Sequence, residues 1–300
     1  MAEHIEEGAA GGATGAARSG RVDAAARIDL HTHSHCSDGT LAPAALAELA
    51  ASRGVAVLAL TDHDTLAGCE EASTACRALG IHFLAGVELS CQWREHTIHV
   101  VGLNIDTRQP DLAAHCERLA ALRRGRIERI AQRLSDAGLP GGRLAAAALE
   151  APSPTRTHLA RALCAQGFAA TVPQAFERFL QRGRPGHAET PWPELTEAVQ
   201  RIVRAGGAAV LAHPHRYALS GGGLRELARQ FRAAGGSGIE VSLAGMGPAS
   251  AERAAALARR FGLAGSIGSD FHEPGLPWRP LGRFAKLADT ITPITTCLGL

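Results

Sequence analysis

Seven short aliphatic runs recur along the chain, separated by Ala-, Leu- and Arg-rich stretches with apolar residues at helical spacing. Continuous apolar runs between helices are typical of strands buried on both faces of a mainly parallel sheet. Seven such strands indicate a closed or nearly closed barrel of the α/β class. The predicted strands are "RIDLH" (27–31), "VAVLALTD" (55–62), "IHFLAGVELS" (81–90), "TIHVVGLN" (97–104), "AAVLAHP" (208–214), "GIEVSL" (238–243) and "LAGSIGSD" (263–270).

The stretch "DGTLAPAALAELAASRG" predicts the helix that follows the first strand. Thr40 is a candidate N-cap, Pro43 suits the first turn, and Gly54 suits the C-terminal end. A helix in this position completes the strand–helix–strand pattern of a barrel.

Charge and composition narrow the classes of partner. The chain has 300 residues, of which 31 are basic and 29 acidic, giving a net charge of +2. No overall field therefore draws it to nucleic acid or to an anionic membrane, so an anionic substrate must be held locally. No apolar run is long enough to span a bilayer. Residues 1–26 lack the apolar core of a secretory signal and are interpreted as a flexible tail.

The seven cysteines are scattered and form no C-x-x-C pair. This usage is typical of a reducing compartment, so we expect a cytoplasmic protein. Cys36 lies among the histidines of "HTHSHC" and is interpreted as a small buried residue rather than a metal ligand.

Polar residues cluster where the predicted strands end. In a parallel barrel the carboxyl ends of the strands meet on one rim, where active sites are built. Residues from both ends of the chain are therefore expected to converge there. They are His31 and His33 after the first strand, Asp62, His63 and Asp64 after the second, Glu88 on the third, His99 on the fourth, His213 after the fifth, Glu240 on the sixth, and Asp270 and His272 after the seventh.

These side chains have the character of a metal centre. His31 and His33 are one residue apart on an extended segment and so point to the same side. Histidine nitrogens mixed with carboxylates suit Zn, Mn or Fe, and about six histidines with three or four carboxylates exceed what one ion takes. Two or three ions are implied, with a carboxylate such as Glu88 between them. Closely spaced ions activate a water for in-line attack at phosphorus, so hydrolysis of a phosphate ester is expected.

Each motif also has a purely structural interpretation. The segment "TDHD" is compatible with a helix N-cap, and Glu240 with a carboxylate paired to a barrel arginine. His35 stays undecided, because alternation groups it with His31 and His33 only if the strand continues. The coincidence of "HTH", "TDHD", "GVELS", "AHP" and "SDFH", each at the end of a predicted strand, favours the metal centre.

The ordered set "DLHTHSHCSDGT", "TDHDT", "GVELS", "HVVG", "AHPHRY", "GIEV" and "GSDFH" resembles the polymerase and histidinol phosphatase (PHP) family over residues 28–290. The resemblance implies a distorted seven-stranded (β/α)7 barrel with a trinuclear metal centre. Mn²⁺ is the expected metal, with Zn²⁺ or Fe²⁺ as alternatives. The implied ligand sets are His31, His33, Glu88 and Asp270 for the first ion, Asp38, His63 and His272 for the second, and Glu88, His99 and His213 for the third.

Within the family, the chain resembles a bacterial branch that hydrolyses nucleoside 3′,5′-bisphosphates and trims 5′-phosphorylated ends of short RNA. Residues 105–200 are interpreted as a helical cap, inserted into a barrel of residues 27–104 and 201–300. Where the branch has G-R-P-H, this chain has "TRTH" at 155–158. Arg156 and His158 therefore carry over as contacts for a second phosphate. Arg216 in "AHPHRY" is a further candidate contact.

The resemblance implies a metal-dependent phosphoric ester hydrolase. It would remove the 3′-phosphate of nucleoside 3′,5′-bisphosphates, release nucleoside 5′-monophosphates from short 5′-phosphorylated RNA, or do both. Asp62 or Asp64 either orients a ligand histidine or protonates the leaving oxygen, and both roles stay open. The alternatives are a histidinol phosphatase or general phosphomonoesterase and, less favoured, a non-catalytic metal-binding module. We expect a nucleotide or short RNA substrate and no membrane association, and no protein partner is predicted.

Overall fold

A computed structural model describes residues 27–300, so the predicted tail at 1–26 lies outside the described residues. Seven strands are present in this range, each where an aliphatic run predicts one, and they form one sheet in chain order. The predicted α/β barrel of seven strands is confirmed. The strands are β1 (Arg27–Asp29), β2 (Val55–Leu60), β3 (His82–Trp93), β4 (His96–Leu103), β5 (Ala208–Leu211), β6 (Gly238–Leu243) and β7 (Ala264–Gly268).

The sheet is parallel except at β4, which runs antiparallel to both of its neighbours. Contacts at the carboxyl ends of β1 and β7 close it into a barrel. The Leu30 amide donates to the Ile267 carbonyl at 3.2 Å, and Thr32 forms a parallel bridge with Phe271. The antiparallel pair β3–β4 is a hairpin with only a short turn, so the barrel lacks a crossover helix at that place.

Ten α-helices surround or cap the barrel within residues 27–300. The first begins at Pro43 with Ala42 as its N-cap, so the prediction of Thr40 as N-cap was wrong. Proline at the first helical position presets the backbone there, while the Thr40 amide donates instead to the His272 carbonyl. The helices are α1 (Pro43–Ser52), α2 (Cys69–Ala78), α3 (Pro110–Asp136), α4 (Gly141–Leu149), α5 (Arg156–Ala165), α6 (Val172–Ala175), α7 (Leu195–Arg204), α8 (Gly221–Ala233), α9 (Pro248–Phe261) and α10 (Ile294–Cys297).

Helix α3 joins two hydrophobic cores. Its first half packs Leu112 and Leu119 into the cluster that α7 and α8 form against the outside of the barrel. Its second half packs Ile127 and Leu134 into a separate cluster with residues of α4, α5 and α6. One continuous helix of 27 residues thus connects the barrel to the helical layer above its rim.

None of the helices in residues 27–300 combines the length and the apolar character that a membrane crossing requires. All seven cysteines are free thiols, and five of them are buried.

Candidate metal centre

All nine predicted metal ligands meet at the carboxyl-end rim of the barrel. They arrive there because β1, β2, β5 and β7 end beneath them, and because β3 passes through the same rim. Six of the nine are buried and three are half-buried. Gly268 permits the close packing of β7 on β1, since a Cβ atom there would lie 2.7 Å from the Cβ of His31.

The reversed direction of β4 explains how His99 reaches the rim. His99 lies near the start of β4 and pairs with Ser90 across the β3–β4 hairpin. In an antiparallel strand, the amino-terminal half lies beside the carboxyl ends of the parallel strands. The sequence analysis grouped His99 with the rim residues although it lies within its strand, and the strand direction supplies the physical reason.

Glu88 lies at the centre of the cluster. Its two carboxylate oxygens face ring nitrogens of five histidines, which is the arrangement expected of a carboxylate between ions. Burial alone would raise the pKa of Glu88, but the surrounding histidines, His63 first, hold that pKa well below its usual range. The distances are 3.4 Å to His31 Nε2, 3.4 Å to His33 Nε2, 2.9 Å to His63 Nδ1, 3.0 Å to His99 Nδ1 and 2.8 Å to His213 Nε2.

Three overlapping groups of side chains have ligand atoms close enough to share an ion. One group joins His31, His33 and Glu88, and Asp270 Oδ1 lies 3.4 Å and 3.2 Å from the two histidine Nε2 atoms. The other two groups are His33, Asp38, His63 and His272, and His63, Glu88 and His99. These groups differ in detail from the ligand sets that the resemblance implies. His33 also belongs to the second group, and His63 also belongs to the third.

The residues present fit metal ions. Asp38 Oδ1, Glu88 Oε2, His63 Nδ1 and His213 Nδ1 are buried and form no hydrogen bond of favourable geometry in the described chain, although Glu88 Oε2 and His63 Nδ1 lie 2.9 Å apart. Such atoms are costly to bury unless a ligand satisfies them. Burial, followed by the charge of His272, lowers the pKa of His33 to about 3, so its imidazole is neutral at neutral pH. The neutral imidazole of His33 and the ionised carboxylate of Glu88 are therefore in the protonation states that bind Zn, Mn or Fe.

Glu240 orients His31 from behind, a role that the sequence interpretation did not assign. Glu240 Oε1 lies 2.6 Å from His31 Nδ1, and Oε2 accepts the backbone N–H of His213. The carboxylate thereby fixes the tautomer that leaves His31 Nε2 facing the centre. The proposed pairing of Glu240 with a barrel arginine is not seen among residues 27–300. A carboxylate inside the wholly buried strand "GIEVSL" was the signal that pointed here.

Asp62 and Asp64 are buried, and neither carboxylate contacts a candidate ligand histidine in the described range. Asp62 accepts hydrogen bonds from the Ser34 amide, the Ser34 hydroxyl and the Ser37 hydroxyl at 2.6–2.8 Å. Ser37 Oγ in turn lies 3.5 Å from His33 Nδ1, so Asp62 reaches that ligand indirectly. The Asp64 carboxylate accepts from the Ser90 amide and from Arg123 Nε, both at 2.6 Å.

The three predicted substrate contacts lie above or beside the metal-ligand cluster. They differ in how firmly other residues hold their side chains. The guanidinium of Arg156 lies over the Phe176 ring at 5.6 Å and makes no ion pair within residues 27–300. His158 is less free, because its Nδ1 accepts from the Thr155 amide at 3.0 Å within the capping box of α5. Arg216 forms an ion pair with the Asp270 carboxylate.

Two further residues contact this cluster, and the sequence interpretation assigned neither a role. Arg279 lies 3.2 Å from Asp270 Oδ2 and shares that carboxylate with Arg216. Thr155 donates from Oγ1 to Asp38 Oδ2 at 3.0 Å, which ties the start of α5 to a candidate ligand. His35 is exposed, because the chain turns after His33 instead of continuing as a strand.

Three rim residues adopt left-handed backbone conformations that are uncommon outside glycine. Asp64 has φ 54°, His213 has φ 27° and Asp270 has φ 51°. Such conformations cost energy and are kept where the surrounding structure requires a side chain in one exact direction. Their concentration here marks the rim as the functional part of the barrel.

Known proteins are similar to this chain in sequence and in structure. The PHP domain pattern matches residues 29–151. A 3′,5′-nucleoside bisphosphate phosphatase from Chromobacterium violaceum is 42% identical over 275 residues, which are 90% of this chain and 95% of that protein. A 5′-3′ exoribonuclease from Haemophilus influenzae is 40% identical over 89% of this chain and 97% of its own. A solved structure from C. violaceum, described as an amidohydrolase with bound sulfate and no metal, superposes with a TM-score of 0.86 at 40% identity, covering 91% of this chain and 96% of that one.

Proposed function

Because the chain belongs to the PHP-domain family, we propose that it is a metal-dependent phosphoesterase acting on nucleotides. It hydrolyses the 3′-phosphate of nucleoside 3′,5′-bisphosphates and releases nucleoside 5′-monophosphates from short 5′-phosphorylated RNA. The names of two relatives that match nearly the whole chain support both substrates. The observation that carries the proposal is the convergence of five histidines on the buried Glu88 carboxylate beneath a cap that presents an unpaired arginine.

We assign nine residues to the metal ions and favour Mn²⁺, with Zn²⁺ and Fe²⁺ as alternatives. Bound ions of this kind supply a nucleophile from water at neutral pH and neutralise charge at phosphorus. The overlap of the groups at His33, His63 and Glu88 favours two to three ions. The assigned ligands are His31, His33, Asp38, His63, Glu88, His99, His213, Asp270 and His272.

The remaining residues of the rim hold these ligands and the substrate in place. Glu240 fixes His31, and Asp62 fixes the Ser34–Ser37 turn beside His33. Asp64 anchors Arg123 of α3 and so the base of the cap. Since both aspartates are satisfied by hydrogen bonds, we assign them positioning roles rather than that of the proton donor.

Arg156 is the residue that we assign to the second phosphate of a bisphosphate. It directly follows Thr155, which contacts Asp38, so the backbone of Arg156 lies next to the centre. It also has no counter-charge of its own in the described chain, and a phosphate would supply one. Arg216 is held by Asp270, and any contact from Arg216 to substrate uses its remaining N–H groups.

We further propose a cytoplasmic location, which the seven free thiols support. The limits of the cap remain a proposal at residues 105–200. The helices between β4 and β5 support this proposal, although α3 contributes its first half to the barrel core and α7 extends to Arg204.

The test is product release by the purified, Mn²⁺-loaded protein. Adenosine 3′,5′-bisphosphate, a 5′-phosphorylated RNA oligomer and histidinol phosphate are offered side by side. We expect rapid hydrolysis of the first two, abolished by His33→Ala and weakened by Arg156→Ala. Preference for histidinol phosphate, or no turnover with metal bound, would overturn the nucleotide assignment.

A further inference from the structure

Buried polar atoms without a partner gather at a second place, outside the metal centre. Arg126 Nε, His187 Nδ1, Thr190 Oγ1 and Trp192 Nε1 are all buried and lack a hydrogen-bond partner within residues 27–300. Three of these residues line one groove, and the ring of Trp192 lies 5.8 Å from the Arg126 guanidinium. Of the groove-lining atoms, Arg126 Nε can only donate and Thr190 Oγ1 readily donates, so the groove holds donors for which the described chain supplies no acceptor.

The groove also carries positive charge that the protein does not neutralise. Arg126 makes no ion pair or hydrogen bond in the described chain, and neither does the nearby Arg156. Burial, then the charges of Arg156 and Arg123, lowers the pKa of Arg126. A guanidinium nevertheless stays protonated at neutral pH. Arg126 is therefore a cation held without a counter-charge, which an anionic ligand would provide.

The groove, which we call the outer groove, has a volume of about 580 Å³. Gln92 and residues 94–97, around the β3–β4 turn, form one wall, residues 187–191 form the other, and Arg126 and Arg182 complete it. Gln92 lies four residues beyond Glu88 on β3, so the wall begins roughly 13 Å along the strand from the metal centre. A ligand that reaches both places must extend beyond the nucleotide being cleaved.

We propose that the outer groove binds the phosphodiester backbone of an RNA strand beyond the nucleotide that is being released. The inference rests on the proposed function and adds to it a site that mononucleotide substrates do not occupy. It follows from the unpartnered donors and the unpaired arginine, which match non-bridging phosphate oxygens.

The groove predicts contacts to phosphates rather than bases. Arg94, Arg126 and Arg182 contribute cations, while Glu95 and the exposed Glu189 lie along the same groove. Glu95 is already paired with Arg182 at 3.2 Å. The groove lining contains no Phe, Tyr or Trp for stacking of bases. Binding is therefore expected to be independent of base sequence and sensitive to salt.

The decisive experiment compares two substrates in matched variants of the full, Mn²⁺-loaded protein. In Arg126→Gln we expect kcat/KM for a ten-nucleotide 5′-phosphorylated RNA to fall about tenfold relative to that for adenosine 3′,5′-bisphosphate. The salt dependence of RNA cleavage should weaken by about 0.7 in log–log slope per lost phosphate contact. Arg124→Gln is the control, because Arg124 is an exposed neighbour on α3 and should leave the ratio unchanged.

Two more variants separate binding from folding. Thr190→Val preserves shape, and we expect it to lower RNA cleavage selectively. Arg126→Lys preserves charge and should recover part of the loss. A parallel fall for both substrates would overturn the proposal, because Arg126 would then serve the centre itself. The proposal would also be overturned if Arg126→Gln left the ratio of kcat/KM for the RNA to kcat/KM for adenosine 3′,5′-bisphosphate unchanged.

Failure of the proposed function can be recognised separately. If the wild-type protein hydrolyses neither substrate, the function assignment fails. Binding of RNA to the outer groove is then measured by fluorescence anisotropy of the same RNA carrying a 3′-fluorescein label. Wild-type binding that Arg126→Gln weakens about tenfold supports the groove, whereas equal binding or no binding by the wild type overturns it.

Discussion

At the scale of one residue, Glu240 is the carboxylate that we expect to control a candidate metal ligand, His31, from behind. Its two oxygens are shared between His31 Nδ1 and the backbone N–H of His213. We expect Glu240→Gln to weaken Mn²⁺ binding about 10- to 100-fold, because the amide no longer holds the His31 tautomer. Isothermal titration with Mn²⁺ measures the change. Glu252→Gln, an exposed substitution on α9, is the control, and equal affinities in all three proteins would contradict the assigned role.

His33 makes the stability of the metal-free protein depend on pH. Its folded pKa is about 3 and its unfolded value 6.5, so the unfolded state binds more protons between these values. The contribution of His33 to stability is therefore complete above pH 6.5 and is lost as pH falls. We expect His33→Gln to flatten the pH dependence of the unfolding free energy by up to about 1.4 kcal/mol per pH unit between about pH 4 and 6. Urea unfolding with EDTA present measures this, and an unchanged slope would show that other groups dominate.

At the scale of elements, the start of α5 couples the cap to the metal centre. Thr155 caps the helix and donates to Asp38 Oδ2 at 3.0 Å. We expect Thr155→Ala to cost about 1–2 kcal/mol of stability and to weaken Mn²⁺ binding. Thr155→Ser should preserve both, because it keeps the hydroxyl.

The matched control for this prediction is Thr171→Ala at the N-cap of α6. Thr171 accepts from the Gln174 amide at 3.3 Å but contacts no candidate ligand. It should lower stability without changing Mn²⁺ affinity. If Thr155→Ala, like Thr171→Ala, lowers the stability but leaves the Mn²⁺ affinity unchanged, the contact with Asp38 does not position the ligand.

Helix α3 and strand β4 are the elements whose packing differs most from a simple alternating barrel. The 27 residues of α3 span both cores, so the boundary between barrel and cap falls inside a helix. The reversal of β4 brings His99 to the rim from the amino-terminal half of a strand. Aliphatic runs predict that a strand exists, but they carry no information about its direction.

For the whole molecule, we expect bound metal ions to act as a clamp. The assigned ligands come from segments at β1, β2, β3, β4, β5 and β7, so bound ions join distant parts of the barrel. We expect the Tm of the Mn²⁺-loaded protein to exceed that of the EDTA-treated protein by at least about 5 °C, because a ligand that binds only the folded state stabilises it. Differential scanning calorimetry measures the shift. Ca²⁺ is the control ion, since it prefers oxygen ligands, and equal Tm values with and without Mn²⁺ would contradict the clamp.

Much of this molecule follows from local signals in the sequence. The strands "VAVLAL" and "GIEVSL" are continuous apolar runs, and residues such as His31, Glu88 and Asp270 follow or end such runs. Because parallel strands end on one rim, type and position alone were sufficient to predict that these side chains converge. Residue type also indicates the class of metal, since imidazole and carboxylate select similar ions in any fold.

Tertiary structure alone decided which residues became partners. Glu240 lies 209 positions from His31, and Thr155 lies 117 positions from Asp38. The outer groove combines Arg126 with residues of the β3–β4 turn and of 187–191, none of which forms a motif in sequence. Periodicity and composition report how each segment meets its immediate surroundings. Contacts between distant segments depend on strand direction, helix length and backbone conformation, which packing of the whole chain sets.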